Sequence, residues 1–295
     1  MNYDLVLLID DFLTNRKQRV TYNTDGYTEW KSVTSGVPHG SIMGPLLFAT
    51  YLNSYSVHDS QRTCCVAYAD DISILHHIPE NETDNMQIEA NQLSDWAEYN
   101  QLKINTKKTK SITFARYNMN PVTQLNISSN LIEECTNLKL LGIIFSSNLH
   151  WKDHIDIVIS KSWRAMAIIR KLRSFGCEKH VLWEAFLSLV FCYSCYSWPA
   201  WCDIDANSFK RIQPIIKLIS IWSGREISLS MIREKLNSSC YKLKTNIVKN
   251  FHRHPLSRFF ILSDNSRYSL RSNGILLKPA FFKSKHSRNS ILKFC

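Results

Sequence analysis

The spacing of apolar and polar positions along this 295-residue chain changes character near its middle. The first half is built mainly from short alternating runs. "QRVTYNTDGYTEW" (18–30) alternates on both sides of Asp25-Gly26 and predicts a β-hairpin. "CCVAYADDISILHH" (64–77) predicts a strand, a two-residue turn at Asp70-Asp71 and a second strand. "SITFA" (111–115) and "LKLLGIIF" (138–145) read as further strands. Helical spacing appears at 5–14, in "LLFATYLNSYS" (46–56) and at 83–102, where Met86, Ile88, Leu93, Trp96, Ala97 and Leu102 make an apolar stripe.

From Trp151 the period becomes helical and stays so to about residue 250, with one long helix and three or four after it. Beyond Pro255 no strong period remains, and the chain there is basic and rich in Ser. Strands with a few helices followed by helices alone predict an α+β domain and then a mostly helical one. The longest apolar run, residues 181–201, carries Glu184, Pro199 and several Ser and Tyr. It suits a buried helix better than a membrane span, and no membrane partner is expected. Within it, the CxxC spacing of Cys192 and Cys195 reads as core packing, because no second pair stands at metal-site spacing.

Charge sharpens this picture. Residues 1–205 hold 18 Lys and Arg against 22 Asp and Glu, a net of −4, whereas residues 206–295 hold 18 against 3, a net of +15. The basic third fits a polyanion, with nucleic acid first and an anionic membrane surface second, or else a solvated tail. The 9 cysteines, an odd number in a chain that needs no staples, point to a reducing compartment, cytoplasmic or nuclear. No charged-then-apolar leader follows Met1, so secretion is not expected.

The candidate chemistry centres on Asp70 and Asp71. Two carboxylates within an apolar run are costly to bury without compensation. One reading is a solvated turn, since Asp is a good turn residue. The other is a ligand pair for Mg²⁺, which takes one or two carboxylates and fills its remaining positions with substrate phosphates.

The surrounding residues favour the second reading. "YADD" (68–71), preceded by "SGVPHGSIMGPLLFATYLN" (35–53), resembles the reverse transcriptases of non-LTR retrotransposons of the jockey or LINE type. The likeness extends to "LLIDDFLTNRKQRV" (7–20), to "LKINTKKTKSITF" (102–114) with its Asn105, Lys108 and Thr109, and to "LKLLGIIFSSNLHWKDHI" (138–155). It continues through "FKRIQPIIKLI" (209–219) and "YSLRSNGILLKPAFFKSKHSRNS" (268–290), covering nearly the whole chain in the family's order.

The resemblance implies RNA-directed DNA polymerase activity by two-metal nucleotidyl transfer, with an RNA template, a DNA primer and deoxynucleotides as partners and Mg²⁺ as cofactor. Asp70 would be the metal ligand and Asp71 its partner, while Tyr68 and Ala69 would line the approach to the primer end. Gly36, Pro38, His39, Gly40 and Ser41 would follow the template and incoming nucleotide, with Gly44 closing the loop. His39 departs from the family's usual Gln. Lys108 would ease the charge on the leaving pyrophosphate. Leu141 and Gly142 would fall in the strand that supports the primer. Lys161, Arg164, Arg170, Lys171 and Arg173 recur along the long helix and would follow a phosphate backbone or make a solvated face.

The implied division is a partial reverse transcriptase palm at 1–148, a helical thumb and connector-like region at 149–250, and a basic, poorly ordered segment at 251–295. The family's first-motif Asp lies upstream of the match, so the chain is expected to be a fragment truncated at its N-terminus and inactive alone. The alternative expectation is a non-catalytic nucleic-acid-binding remnant of a mobile element.

Overall fold

Helix α1 (Tyr3–Leu13) stops where Asn15 takes a left-handed φ of 53°, a conformation Asn tolerates better than most residues. The computed structural model that shows this describes residues 3–22, 26–78, 84–114, 124–263 and 276–279. Its helices and two-stranded sheets make an α+β chain. They divide into two units, Met1–Ser111 with Asn120–Glu134, and Ile112–Met119 with Cys135–Cys295.

In the first unit, strands β1 (Lys17–Gln18) and β2 (Lys31–Ser32) pair antiparallel, and a Thr21–Tyr27 bridge extends the hairpin. The expected Asp25 turn lies outside the described residues. Helix α2 (Met43–Leu52) precedes the antiparallel pair β3 (Thr63–Tyr68) and β4 (Asp71–His76). Helix α3 (Met86–Tyr99) follows.

Of the strand expected at 111–115, Ser111 alone pairs among the described residues 111–114, in β5 (Lys110–Ser111), which runs parallel to β8 (Glu133–Glu134), and residue 115 lies outside the described residues. Between these, β6 (Asn126–Ile127) and β7 (Asn130–Leu131) close around Ser128 and Ser129, both left-handed. The buried cluster here is small: Ala90, Leu125, Ile127 and Ile132, with Met86 and Ile104 against it. Ile88 is exposed rather than part of the α3 stripe. At 100° per residue it stands about 200° around the helix from Met86.

The second unit opens with β9 (Asn137–Leu140) and β10 (Ile143–Ser146), an antiparallel hairpin. Leu141 and Gly142, expected in a strand, form its turn at φ 47° and 84°. Left-handed geometry at both central positions matches the twist of the flanking strands. Helix α4 (Lys152–Ser174) lays Ile155, Val158, Ala165, Met166 and Ile169 into a large core with Trp198, Trp201, Phe209, Ile219 and Leu236.

The apolar run at 181–201 is not one helix. It breaks into α5 (Lys179–Phe186), a π turn (Leu187–Phe191), α6 (Cys192–Cys195) and α7 (Trp198–Trp201), with Ser197 left-handed before α7. Pro199 explains the break, because it cannot donate an N–H to the carbonyl of Cys195. Cys192 and Cys195 are exposed, which corrects the core-packing expectation. Among the described residues no helix is long and apolar enough to cross a membrane.

Helices α8 (Ala206–Lys210), α9 (Gln213–Ser223) and α10 (Leu229–Lys249) complete the bundle. Gly224, at φ 65°, ends α9, and the Ser228 hydroxyl accepts from the Met231 N–H to start α10. Strands β11 (Phe260–Ser263) and β12 (Leu276–Pro279) pair antiparallel beyond it.

Candidate active site

The Tyr-Ala-Asp-Asp stretch forms the tip of the β3–β4 hairpin, whose ladder runs from Thr63 opposite His76 to Tyr68 opposite Asp71. The turn residues are Ala69 and Asp70, one position earlier than the spacing suggests. Ala69 is left-handed at φ 51°, which costs a residue with a Cβ about 1–2 kcal/mol. Asp70 therefore stands at the apex, and Asp71 begins β4 on the same sheet face as Tyr68.

Alternation sets the two faces. Thr63, Cys65, Ile72, Ile74 and His76 are buried or half-buried. Val66, Tyr68 and Leu75 on the other face are 48%, 65% and 55% exposed. Both aspartates are exposed as well, so the apolar run around them is not core and no burial cost arises. Among the described residues neither carboxylate takes a hydrogen bond or an ion pair.

The base of the hairpin is held by Glu89, which the sequence reading missed. This carboxylate, 2% exposed, accepts the backbone N–H groups of His58 and Asp59, both at 3.0 Å, and the Thr63 hydroxyl at 2.8 Å. Thr63 Oγ1 also lies 2.9 Å from His76 Nδ1, so α3, the loop before β3 and both strands meet at one point. Burial pushes the Glu89 carboxyl up, but the Asp59 and His58 amides, the Thr63 hydroxyl and the nearby His58 outweigh it and hold it below the usual value. Beside it, burial pushes the Tyr55 hydroxyl up to about 12, helped by Cys65 and Glu89. A signal for Glu89 was present in the sequence: it falls in the stripe with Met86, Ala90, Leu93 and Ala97, where only a satisfied carboxylate can stay.

The glycine-bearing loop is shaped by its own contacts. Gly36 and Gly40 are left-handed, at φ 76° and 79°, with open space where a Cβ would stand. The Ser41 hydroxyl donates to the Pro38 carbonyl at 2.8 Å and accepts the Gly44 N–H at 2.9 Å, turning the chain into α2. Gly44 is buried, and a Cβ there would meet the Pro38 carbonyl and Ser41 Oγ at 2.8 Å each. His39 and Gly40 form the exposed apex between these fixed points.

Lys108 lies exposed in a turn built by Asn105, whose side chain accepts the Lys108 N–H at 3.2 Å and whose carbonyl accepts the Thr109 hydroxyl at 3.0 Å. The hairpin tip, the loop and this turn all belong to the first unit. In the second unit, the α4 cations are exposed but several are engaged. Lys161 lies over Tyr193, Lys171 over Phe175 and Arg173 over Trp222, while Arg164 donates to Ser160.

Mg²⁺ prefers hard oxygen ligands, and Asp70 with Asp71 offers two adjacent, unengaged carboxylates of that kind. The pair fits the protein's share of one such ion. Among the described residues no group of three His, Cys, Asp or Glu side chains can hold a metal, so the pair does not fit a two-ion set by itself.

Residues 3–145, which contain all three parts of this site, match the family described as reverse transcriptase (RNA-dependent DNA polymerase). The chain is 30% identical over 195 residues to the RNA-directed DNA polymerase from mobile element jockey of Drosophila melanogaster, covering 60% of this chain and 21% of that protein. It is 24% identical over 220 residues to the probable RNA-directed DNA polymerase from transposon X-element of the same organism, covering 70% and 24%. A third relative there, the probable RNA-directed DNA polymerase from transposon BS, is 25% identical over 174 residues, covering 56% and 19%. The chain thus spans 19–24% of the length of these curated relatives. No solved structure matches it significantly. Residues 3–145 therefore belong to the reverse transcriptase family, in a chain similar to the polymerases of jockey-like non-LTR retrotransposons.

Proposed function

We propose that this chain is a palm-and-thumb segment of an RNA-directed DNA polymerase that engages an RNA template and a DNA primer, and that it adds no nucleotides without a further carboxylate. The observation that carries the reading is the exposed, unengaged Asp70-Asp71 tip within a reverse transcriptase family segment. Asp70 and Asp71 would hold Mg²⁺, which in this family of reactions activates the attacking oxygen and steadies the leaving one. Tyr68 and Ala69 border the primer end. The loop from Gly36 to Ser41, with His39 at its apex, follows the template and the incoming deoxynucleotide. Lys108 eases the charge on the leaving group. The exposed cations of α4 and the basic residues beyond 206 track the phosphate backbone.

Primer extension on an RNA template with Mg²⁺ and deoxynucleotides tests this, beside a binding measurement. The chain should bind the primer–template with an affinity that falls steeply between low and physiological salt, and should extend it no further than an Asp70→Asn control. Absence of salt-sensitive binding would sink the polymerase reading. Extension that Asp70→Asn abolishes would show that the further carboxylate is not needed.

A further inference from the structure

One side chain in the Asn-Arg stretch at 7–20, to which no role has yet been given, reaches the candidate site. Arg16, three residues past the end of α1 at Leu13, turns its guanidinium back along the chain. Its Nε donates to the Leu13 carbonyl at 2.8 Å, and its Nη2 donates to the Gly36 carbonyl at 2.6 Å and, more loosely, to the Ser35 carbonyl at 3.4 Å. Its own carbonyl accepts the Val33 N–H at 2.8 Å. We propose that Arg16 is a positioning residue, whose guanidinium ties the C-terminal end of α1 to the start of the glycine loop and so sets the pose of the loop apex at His39 and Gly40.

The chemistry supports a tether rather than a surface charge. Helix α1 has no other basic residue in its last turn, so Arg16 supplies the cation that its terminal carbonyls favour. The guanidinium is a planar fork that can donate to two separate carbonyl groups at once, whereas an ammonium is a single point charge on a flexible stem. Gly36 needs such a hold. It is left-handed with open space where a Cβ would stand, and the described residues give its carbonyl no other donor. At the far side, Ser41 and Gly44 fix the exit into α2. The apex between Gly36 and Gly40 is then a short span pinned at both ends, and removing Arg16 frees one of them.

The functional side of this inference rests on the reading of the loop as the template-facing element, and the experiment separates the two. Wild type, Arg16→Ala and Arg16→Lys of the full chain are compared by hydrogen exchange across 33–44 and by affinity for an RNA–DNA primer–template. Exchange in α3 and in the β3–β4 ladder reports whether each variant stays folded. In Arg16→Ala the hydrogen-bonded amides of Val33 and Gly44 should exchange at least about tenfold faster, the worth of one charge-assisted hydrogen bond, with α3 and the ladder unchanged. Arg16→Lys, which keeps the charge but loses the fork, should restore only part of that protection. Primer–template affinity should fall by about tenfold in Arg16→Ala.

Unchanged exchange across 33–44 in Arg16→Ala overturns the tether. Full protection in Arg16→Lys overturns the fork in favour of simple charge. If Arg16→Ala also loses protection in α3, Arg16→Lys alone decides, and equal losses everywhere in that variant count against a local role. A loosened loop with unchanged affinity upholds the tether and instead overturns the assignment of the loop to the template.

Discussion

Glu89 shows how a single side chain can set the position of the hairpin without touching its tip. Its carboxyl is held below the usual value in the folded chain, because the donors around it outweigh its burial. A depressed carboxylate contributes stability that is present above the unfolded value near 4.5 and is lost as pH falls through the lower folded value. Glu89→Gln should therefore destabilise the first unit by about 1.5–3 kcal/mol at pH 7, and the difference from wild type should shrink on acidification below pH 4.5. Urea midpoints measured from pH 7 to pH 3 check both parts, and a difference that stays constant with pH would contradict the charge-based account.

His154 behaves in the matching way in the second unit. It is 3% exposed, its Nδ1 lies 3.4 Å from the Ile144 N–H, and its ring stands edge-on to Trp201. Burial first, and Lys161 second, hold it below the usual histidine value. Stability is then fully present above the unfolded value of 6.5 and falls as pH drops below it. His154→Gln should flatten the pH dependence of the second unit's midpoint between pH 7 and 5, and a slope equal to wild type would refute this origin.

At the scale of elements, the exposed tip and the loop were legible because the residues that shape them are close in sequence. Asp70 at a turn and Gly36, Pro38 and Gly40 in a loop are local signals. Arg16 was not legible as an anchor, and Glu89 was legible only as a carboxylate in the apolar stripe of α3, without its partners. Each acts on backbone carbonyls or amides some 20 and 30 residues away in sequence, and the identity of a residue does not reveal a backbone partner. The broken run at 181–201 was misread for a related reason. Apolar composition speaks for burial, and Pro199 forbids one continuous helix, but neither shows where the π turn and the left-handed Ser197 fall. The loop-to-α2 junction offers a sharp test of element-level packing. Gly44→Ala would drive a Cβ to 2.8 Å from the Pro38 carbonyl and Ser41 Oγ, so the turn must open. A loss of about 1–3 kcal/mol is expected, with faster exchange at residue 44 than in α3. Wild-type stability in that variant would mean the turn can shift without cost.

At the scale of the whole molecule, the two units differ in how much apolar surface they bury. Among the described residues, the unit that holds the candidate site has a cluster of four buried residues, Ala90, Leu125, Ile127 and Ile132, and its α1 buries none. The helical unit buries three tryptophans, Trp198, Trp201 and Trp222, with Phe209 and isoleucines along α4 and α9. Hydrophobic burial scales with the area removed from water, so the first unit has the smaller reserve against the entropy of the unfolded chain. The candidate site thus rests on the smaller of the two clusters among the described residues, and separate clusters favour separate transitions. Trp30 and Trp96 report on the first unit, while Trp151, Trp163, Trp183, Trp198, Trp201 and Trp222 report on the second. Urea unfolding followed by hydrogen exchange should show the β3–β4 ladder and α3 losing protection at lower denaturant than α4 and α9. Emission dominated by the second unit's tryptophans should shift only in the later step. One transition shared by both sets of amides would mean that the chain folds as a single cooperative body. The hairpin's stability would then be set by the helical core rather than by Glu89 and its neighbours.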